Sequence, residues 1–152
     1  MNFPEKQAIS LNEFYGMRET TDRVLEYIDG VMLMPLSFDP APTPIEAVAR
    51  QTAPFFKKNP CEVFHAPFDA ELKNERIEGE KIVVPDLTVI CDRSGLMDTK
   101  FVGVPMLIIE ILSPSNQAYD LVFKLNLYTQ YGVHEYWDRK PYASCCAILL
   151  AQ

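Results

Sequence analysis

Apolar and polar residues alternate along the first third of the chain in a pattern that predicts a helix, a hairpin and a second helix. The segment ISLNEFYGM, with Ser10 and Asn12 as N-cap candidates, predicts a short helix. Two strand-like runs then meet at Asp29-Gly30, a dipeptide that strongly favours a β-hairpin turn. After a proline-rich loop over 37–44, apolar residues at helical spacing predict a helix in IEAVARQTAPFFKK.

From Cys61 onwards the pattern changes to that of a sheet crossed by one further helix. The segments that predict strands are CEVFHAPFDAEL, IVVPDLTVI, MLIIEIL, VHEYWD and, as a further candidate, SCCAILL. Between the first two, LKNERIEGEK is rich in charge and predicts an exposed loop. AYDLVFKLNLYTQYG predicts a helix that ends at Gly132. Strands interrupted by helices predict the α/β fold class.

The composition is that of one folded domain without a membrane segment. The chain has 152 residues, of which 48% are hydrophobic and 23% charged, so we expect a single domain over residues 1–152. No apolar run is long enough to cross a bilayer, and the N-terminal segment MNFPEKQAISLNEFYG lacks the apolar core of a secretory signal. The sequence therefore predicts a soluble, cytoplasmic protein with no membrane partner.

Net charge and cysteine spacing restrict the kinds of binding site that we expect in this chain. Fourteen basic and 21 acidic residues give a formal charge of −7, which argues against coating of nucleic acid by bulk electrostatics. Acids gathered around a metal ion would add to that negative charge. The four cysteines show no metal-finger spacing, so we expect small apolar thiols in a reducing compartment; they are Cys61, Cys91, Cys145 and Cys146.

Two carboxylates stand inside apolar runs, where a charged side chain needs a partner. Asp86 lies within VVPDLTVI and Glu110 within LIIEIL. Carboxylates are almost never fully buried unless they are paired or bind a metal ion. Strand alternation places Glu110 on the same face as Ile108, and Asp86 on the same face as Thr88. We expect both acids to lie together at one edge of the core.

A lysine on the following helix adds a third charged group that faces the core. Asp120, Lys124 and Tyr128 stand at i, i+4 and i+8 and form one stripe of that helix. Two acids beside a lysine suit hydrolysis of a phosphodiester, with Mg²⁺ on the carboxylates and the lysine near the developing negative charge. Spacing alone is equally compatible with a turn at Asp86 and a buried Glu110–Lys124 salt bridge that holds no metal.

Four segments occur in an order that resembles a known family. They are YIDG, VVPDLTVI, LIIEILSPS and DLVFKLNLYTQYGVHEYW. This combination resembles the Uma-type family of restriction endonucleases, within the PD-(D/E)xK nuclease superfamily, over roughly residues 11–137. The resemblance implies a restriction-endonuclease-like core, in which a mixed β-sheet is flanked by helices.

The resemblance also implies a set of site residues. Asp86 and Glu110 match the two metal-binding acids, which implies Mg²⁺ as cofactor with Mn²⁺ as a substitute. Leu112 stands where the wider superfamily has a lysine, and Lys124 matches the displaced lysine of Uma-type proteins. Glu26 matches an early glutamate that such sites often add to the metal shell. The activity implied is metal-dependent endonucleolytic hydrolysis of DNA, by a protein that we expect to be a homodimer.

The chain departs from the family at two places, and alternatives remain open. The family usually has a histidine where this chain reads PAPTPIEA, and the tail after about residue 137 is divergent or truncated. A protein that keeps the fold without catalysis, as a nucleic-acid-binding or oligomerising module, is therefore the main alternative. A hydrolase of another phosphate ester is a second.

Other polar residues are expected to lie outside the site. We interpret His65 as a partly buried structural histidine and His134 as a surface residue. A basic cluster of Lys73, Arg76 and Lys81 alternates with acids, which is typical of a solvated hairpin; contact with DNA is the alternative.

Overall fold

The α/β class is confirmed in a computed structural model, which describes residues 8–34, 50, 53–54, 56–57, 60–111, 117–139 and 146–150, without the side chains of 117–121, 139 and 146–150. The α-helices with bounds in this part of the chain are α1 (Leu11–Glu19) and α2 (Gln117–Tyr131), and a short 3-10 helix spans Arg93–Gly95. The strands are β1 (Glu26–Ile28), β2 (Val31–Leu33), β3 (Glu62–His65), β4 (Asp69–Asn74), β5 (Ile77–Val83), β6 (Leu87–Ile90), β7 (Lys100–Gly103), β8 (Leu107–Ile111), β9 (Glu135–Arg139) and β10 (Cys146–Leu150). The predicted proline-rich loop lies outside the described residues, as does most of the helix predicted after it.

The strands form two mixed five-stranded sheets, where the sequence pattern predicted one. Sheet A has the order β2-β1-β5-β4-β7 and sheet B the order β10-β9-β8-β6-β3. Each contains one parallel pair, β4 with β7 and β8 with β9, and is otherwise antiparallel. The chain passes from sheet A to sheet B within three residues, Val84 to Asp86, between β5 and β6. Asp86 therefore lies at the junction of the two sheets.

Helix α1 packs on one face of sheet A, and the hairpin that follows it forms two strands of the same sheet. Ser10 caps α1 through a reciprocal pair of hydrogen bonds with Glu13, which satisfies backbone donors that the first turn leaves free. Phe14 is fully buried against Tyr27 and Ile82. The predicted hairpin turn is confirmed, because Asp29 and Gly30 have φ of 47° and 88° and join β1 to β2.

The segment LKNERIEGEK is part of a β-hairpin, as the alternation of its basic and acidic residues indicated, and not the exposed loop that its high charge predicted. Most of it belongs to β4 and β5, with a turn at Glu75-Arg76. Lys81 is 6% exposed, and its ammonium lies 2.9 Å from Asp29 and over the Tyr131 ring. Residues 73, 75, 76 and 78–80 are exposed, as expected for a solvated hairpin, whereas Lys81 is too buried to contact DNA.

Helix α2 packs on the inner faces of both sheets. Its buried residues Leu127, Tyr128 and Tyr131 belong to one cluster with Val83 of sheet A and Ile108 of sheet B. The helix ends as predicted, at Gly132, whose φ of 82° is the left-handed conformation that favours glycine. Neither α1 nor α2, the helices searched in the described part of the chain, is long and apolar enough to span a membrane.

Cys61 and Cys91 form a disulfide, so the expectation of free thiols was wrong for this pair. Register between β3 and β6 pairs Glu62 with Ile90, which places the two cysteines directly opposite each other at the ends of these strands. The Cα atoms are 3.9 Å apart. β3 is the edge strand of sheet B and is hydrogen-bonded to a neighbouring strand, β6, on one side only. The disulfide therefore adds a covalent link between this edge strand and β6.

Breaking this disulfide is expected to lower thermal stability. The bond closes a segment with a sequence separation of 30 residues, and a loop of that length corresponds to about 3.6 kcal/mol of unfolding free energy, or roughly 10 °C in melting temperature for a chain of this size. Calorimetry with and without a phosphine reductant measures the effect. The Cys61→Ala/Cys91→Ala variant is the control, since a reductant effect that persists in it would assign the change to other cysteines.

Candidate active site

Strand register brings Asp86 and Glu110 side by side. In the antiparallel pair of β6 and β8, Leu87 lies opposite Ile109 and Thr88 opposite Ile108. The next position along this register places Asp86 opposite Glu110. Side chains opposite each other share one face of the sheet, with Cβ atoms about 4.5–5.5 Å apart. The two acids predicted from strand alternation therefore form neighbours on the face that α2 covers.

Asp86 is fixed by backbone on both sides. Its Oδ2 accepts a hydrogen bond from the Ile111 N–H at 2.6 Å, and its carbonyl accepts one from Ala66 N–H at 3.0 Å. These contacts tie the residue to β8 and to the end of β3. Within the described part of the chain Oδ1 has no hydrogen-bond partner, so it is the oxygen that remains for a ligand.

Lys124 reaches this pair of acids from α2. Its ammonium lies 2.8 Å from both carboxylate oxygens of Glu26, 3.4 Å from Glu110 Oε1 and 3.5 Å from the Tyr128 hydroxyl. The Tyr128 hydroxyl donates to Glu110 Oε1 at 2.9 Å. Sequence spacing predicted the stripe of Lys124 and Tyr128, but the hydroxyl's hydrogen bond to Glu110 was not predicted.

Glu26 is the most buried acid of the group. Its exposure is 2%, and its Oε1 also accepts the Val84 N–H at 2.8 Å. Glu26 comes from β1 of sheet A, whereas Glu110 comes from sheet B, so Lys124 joins acids from both sheets. Because both Glu26 oxygens contact Lys124, this carboxylate is held as the principal counter-ion of the lysine.

Burial raises the pKa values of the two neighbouring acids. For Glu110, burial together with the charges of Asp86 and Glu26 outweighs the attraction of Lys124 and raises the pKa to about 7. For Asp86, burial raises the pKa to about 6 against the Ile111 N–H and Lys124, which lower it. Burial alone would lower the pKa of Lys124, but the charges of Glu110 and Glu26 raise it above its ordinary value. The site therefore holds a fixed cation beside two acids that ionise near neutral pH.

Comparison with known proteins places the chain in a family. The Uma2 family model, whose description is "Putative restriction endonuclease", matches residues 11–150. The chain belongs to the Uma2 family. The resemblance drawn from the four sequence segments is thereby confirmed.

Relatives of this Uma2 protein are distant or matched in part. The uncharacterized protein slr1290 of Synechocystis sp. is 37% identical over 60 residues, which is 40% of this chain and 32% of that protein. The match thus spans about a third of the curated relative's length. A solved structure from Anabaena variabilis, titled a "putative nuclease belonging to DUF820", superposes with a TM-score of 0.72 at 21% identity. It covers 95% of this chain and 80% of the other, and supports the fold.

The residues of this Uma2 protein fit a small divalent cation held by two carboxylates. Among the residues described by the structure, no group of three or more His, Cys, Asp or Glu side chains is arranged to hold a metal ion. Mg²⁺ commonly takes one or two carboxylates and keeps several waters, so two acids are a sufficient protein contribution. Asp86 Oδ1 and the second oxygen of Glu110 are the donors that remain, since Glu26 is occupied by Lys124.

Metal affinity is expected to depend steeply on pH. With pKa values of about 6 for Asp86 and about 7 for Glu110, both acids bind protons below neutrality, and these protons must leave before a cation binds. Affinity should therefore rise from pH 5.5 to 8 and then level off. Titration calorimetry in two buffers of different ionisation enthalpy measures the protons released, and a pH-independent affinity would exclude these acids as ligands.

The remaining residues discussed from the sequence are either exposed histidines or lie outside the described part of the structure. His65 is exposed rather than partly buried, and His134 is exposed as predicted. Leu112 is outside the described residues, and the side chain of Asp120 is not described.

Proposed function

We propose that this Uma2 protein is a metal-dependent endonuclease that hydrolyses phosphodiester bonds in DNA. The observation that carries the proposal is the cluster of Asp86, Glu110 and Lys124 at the junction of two sheets, where a lysine contacts one of two adjacent acids. Family membership supports the same activity. A structural ion-pair network explains Glu26 and Lys124, but it does not explain why Asp86 and Glu110 lie side by side where burial raises the pKa values of both.

Asp86 and Glu110 are the residues proposed to hold Mg²⁺, or Mn²⁺ in its place. When bound, an ion of this kind would supply Lewis-acid polarisation of the phosphoryl oxygen and would make water a stronger nucleophile. The Ile111 N–H fixes Asp86, and the Tyr128 hydroxyl fixes Glu110, so each acid keeps one oxygen without a hydrogen bond from the described residues. Pre-set ligands of this kind need no rearrangement when substrate enters.

Lys124 is proposed to stabilise the negative charge that develops on the phosphate. Its raised pKa keeps the ammonium protonated at neutral pH, so it acts as a donor and not as a base. The Glu26 carboxylate holds the ammonium from the side of sheet A, which leaves the Glu110 side as the direction toward substrate. Glu26 is thus a positioning residue for Lys124.

Glu26→Gln is expected to lower kcat by roughly 10- to 100-fold while leaving metal affinity within a few-fold of the parent. Glutamine keeps the size and an acceptor oxygen for the Val84 N–H, but it gives up the charge that holds Lys124. Steady-state cleavage and metal titration separate the two effects. Equal loss of metal affinity and of cleavage would instead assign Glu26 to the metal shell.

Plasmid cleavage tests the proposed function directly. Supercoiled plasmid incubated with protein and Mg²⁺ should be nicked or linearised, and a chelator should stop the reaction. Single-stranded DNA, RNA and a small phosphodiester, used in parallel, distinguish a DNA nuclease from a hydrolase of other phosphate esters. Metal binding without cleavage of any of these substrates would favour the non-catalytic, nucleic-acid-binding alternative.

We also propose that the active form is a homodimer, because each chain supplies one site and a duplex has two strands. Sedimentation of the protein alone and with a non-cleaved duplex measures the stoichiometry. A protein that cleaves both strands while it sediments as a monomer would exclude the homodimer as the active form.

A further inference from the structure

Two phenylalanine rings stack in parallel beside the candidate site. The rings of Phe64 and Phe68 have centroids 4.3 Å apart and an interplanar angle of 14°. The other described aromatic pairs are tilted by 43–55°, as packed core rings commonly are. Both side chains are partly exposed, and neither belongs to the hydrophobic clusters found among the described residues. A parallel pair presents a flat ring face to its surroundings, whereas a tilted pair presents an edge.

Strand register places this stack next to Asp86. Phe64 lies opposite Thr88 in the pairing of β3 with β6, so its side chain is on the same sheet face as Thr88 and Asp86. Phe64 and Asp86 are thus diagonal neighbours, a separation that an aromatic side chain can span. Glu110 lies on the other side of Asp86. The order across the sheet face is therefore aromatic stack, first acid, second acid.

We propose that Phe64 and Phe68 form a platform on which a nucleobase of the substrate stacks while its phosphate lies at Asp86 and Glu110. The inference deepens the proposed function and rests on it. The ligand class is an unpaired base, either in single-stranded DNA or displaced from a duplex, because a base within a duplex already has both faces covered.

The chemistry of the platform favours a base over other ligands. Phenylalanine offers no hydrogen-bond donor or acceptor, so it cannot bind a phosphate or read a base edge, but its face accepts any base. Base stacking does not depend on charge, which suits a chain with a net charge of −7 that must hold a polyanion beside two acids. A platform at the sheet edge would fix the strand without base preference.

Binding of fluorescein-labelled oligothymidylate, followed by anisotropy with Ca²⁺ in place of Mg²⁺, tests the platform. Phe68→Leu and Phe64→Leu should each weaken binding roughly 10-fold, while Phe68→Tyr, which keeps the ring, should bind like the parent. The loss should be the same at low and high salt, since phosphate contacts and not stacking carry the salt dependence. Tyr15→Leu is the matched control, because Tyr15 is an exposed aromatic residue on α1, the helix that packs on sheet A.

Photocrosslinking locates the base independently of variant folding. An oligonucleotide with 5-iodouracil should crosslink to Phe64 or Phe68 in the parent protein, as read by mass spectrometry of the digested complex. Crosslinks only at other residues, or leucine variants that are folded and bind like the parent, would overturn the platform. If the parent binds through these rings but never cleaves DNA, the proposed function fails and the platform stands. If the protein cleaves DNA and the leucine variants bind like the parent, the platform fails and the proposed function stands.

Discussion

Replacing Lys124 by methionine is expected to abolish DNA cleavage, a loss of at least about 10²- to 10³-fold, while metal affinity stays equal or improves. A protonated lysine cannot ligate a cation, so its removal leaves the ligand set complete and takes a positive charge away from it. Lys124 is expected to stabilise negative charge that appears only in the transition state. Plasmid cleavage and metal titration on the same preparation measure both quantities.

The Lys124 experiment needs a control for folding. Removing one partner of a buried ion pair leaves Glu26 uncompensated and can cost 3–5 kcal/mol, as a rough estimate. The double variant Glu26→Gln/Lys124→Met removes both charges and should regain stability without regaining cleavage. Lys100→Met, which removes a partly exposed lysine paired with Glu71, should cut like the parent. A folded Lys124→Met that cleaves at the parental rate would reduce Lys124 to a structural partner of Glu26.

Glu110→Gln is expected to lose both metal binding and cleavage and yet to unfold at a higher temperature at pH 8. The pKa of Glu110 is raised from 4.5 to about 7, so above neutrality the folded protein holds a carboxylate that its surroundings disfavour. The sign follows from proton linkage: stability contributed at low pH is lost as pH rises from about 4.5 to 7. A neutral amide avoids a cost of up to roughly 3 kcal/mol at pH 8.

Thermal unfolding of Glu110→Gln at pH 5 and pH 8 checks the sign. The gain over the parent should be large at pH 8 and small at pH 5, where the parental acid is already protonated. Glu71→Gln is the matched control, because Glu71 forms a partly exposed ion pair with Lys100 away from the site. A Glu110→Gln protein that binds Mg²⁺ with parental affinity would remove Glu110 from the ligand set.

Local pattern was sufficient for most of the elements and for predicting that two acids lie together. Glu110 stands in β8 and Asp86 directly before β6, the alternation of both strands can be predicted from the sequence, and the register of β6 with β8 brings the two acids together. The Asp29-Gly30 turn and the end of α2 at Gly132 follow from residues with few alternative conformations. These features depend on neighbours in the chain, which is why the sequence predicts them.

Contacts between segments that are distant in the sequence could not be predicted from local pattern. Glu26 and Lys124 are 98 residues apart, and only the family resemblance connected Glu26 with the site. The Cys61–Cys91 disulfide depends on which strand pairs with β3, and spacing carries no such information. Lys81 belongs to a charged segment that resembles a loop, but Tyr131 at the end of α2 covers it. Tertiary packing, not local preference, decides each of these.

Anomalous diffraction from a crystal containing Mn²⁺ is the most direct test of the central claim, that Asp86 and Glu110 hold a divalent cation. The account predicts one strong peak within about 2.1 Å of a carboxylate oxygen from each acid, with Lys124 outside the coordination shell. Absence of a peak at saturating Mn²⁺, or a peak coordinated by neither Asp86 nor Glu110, would contradict it.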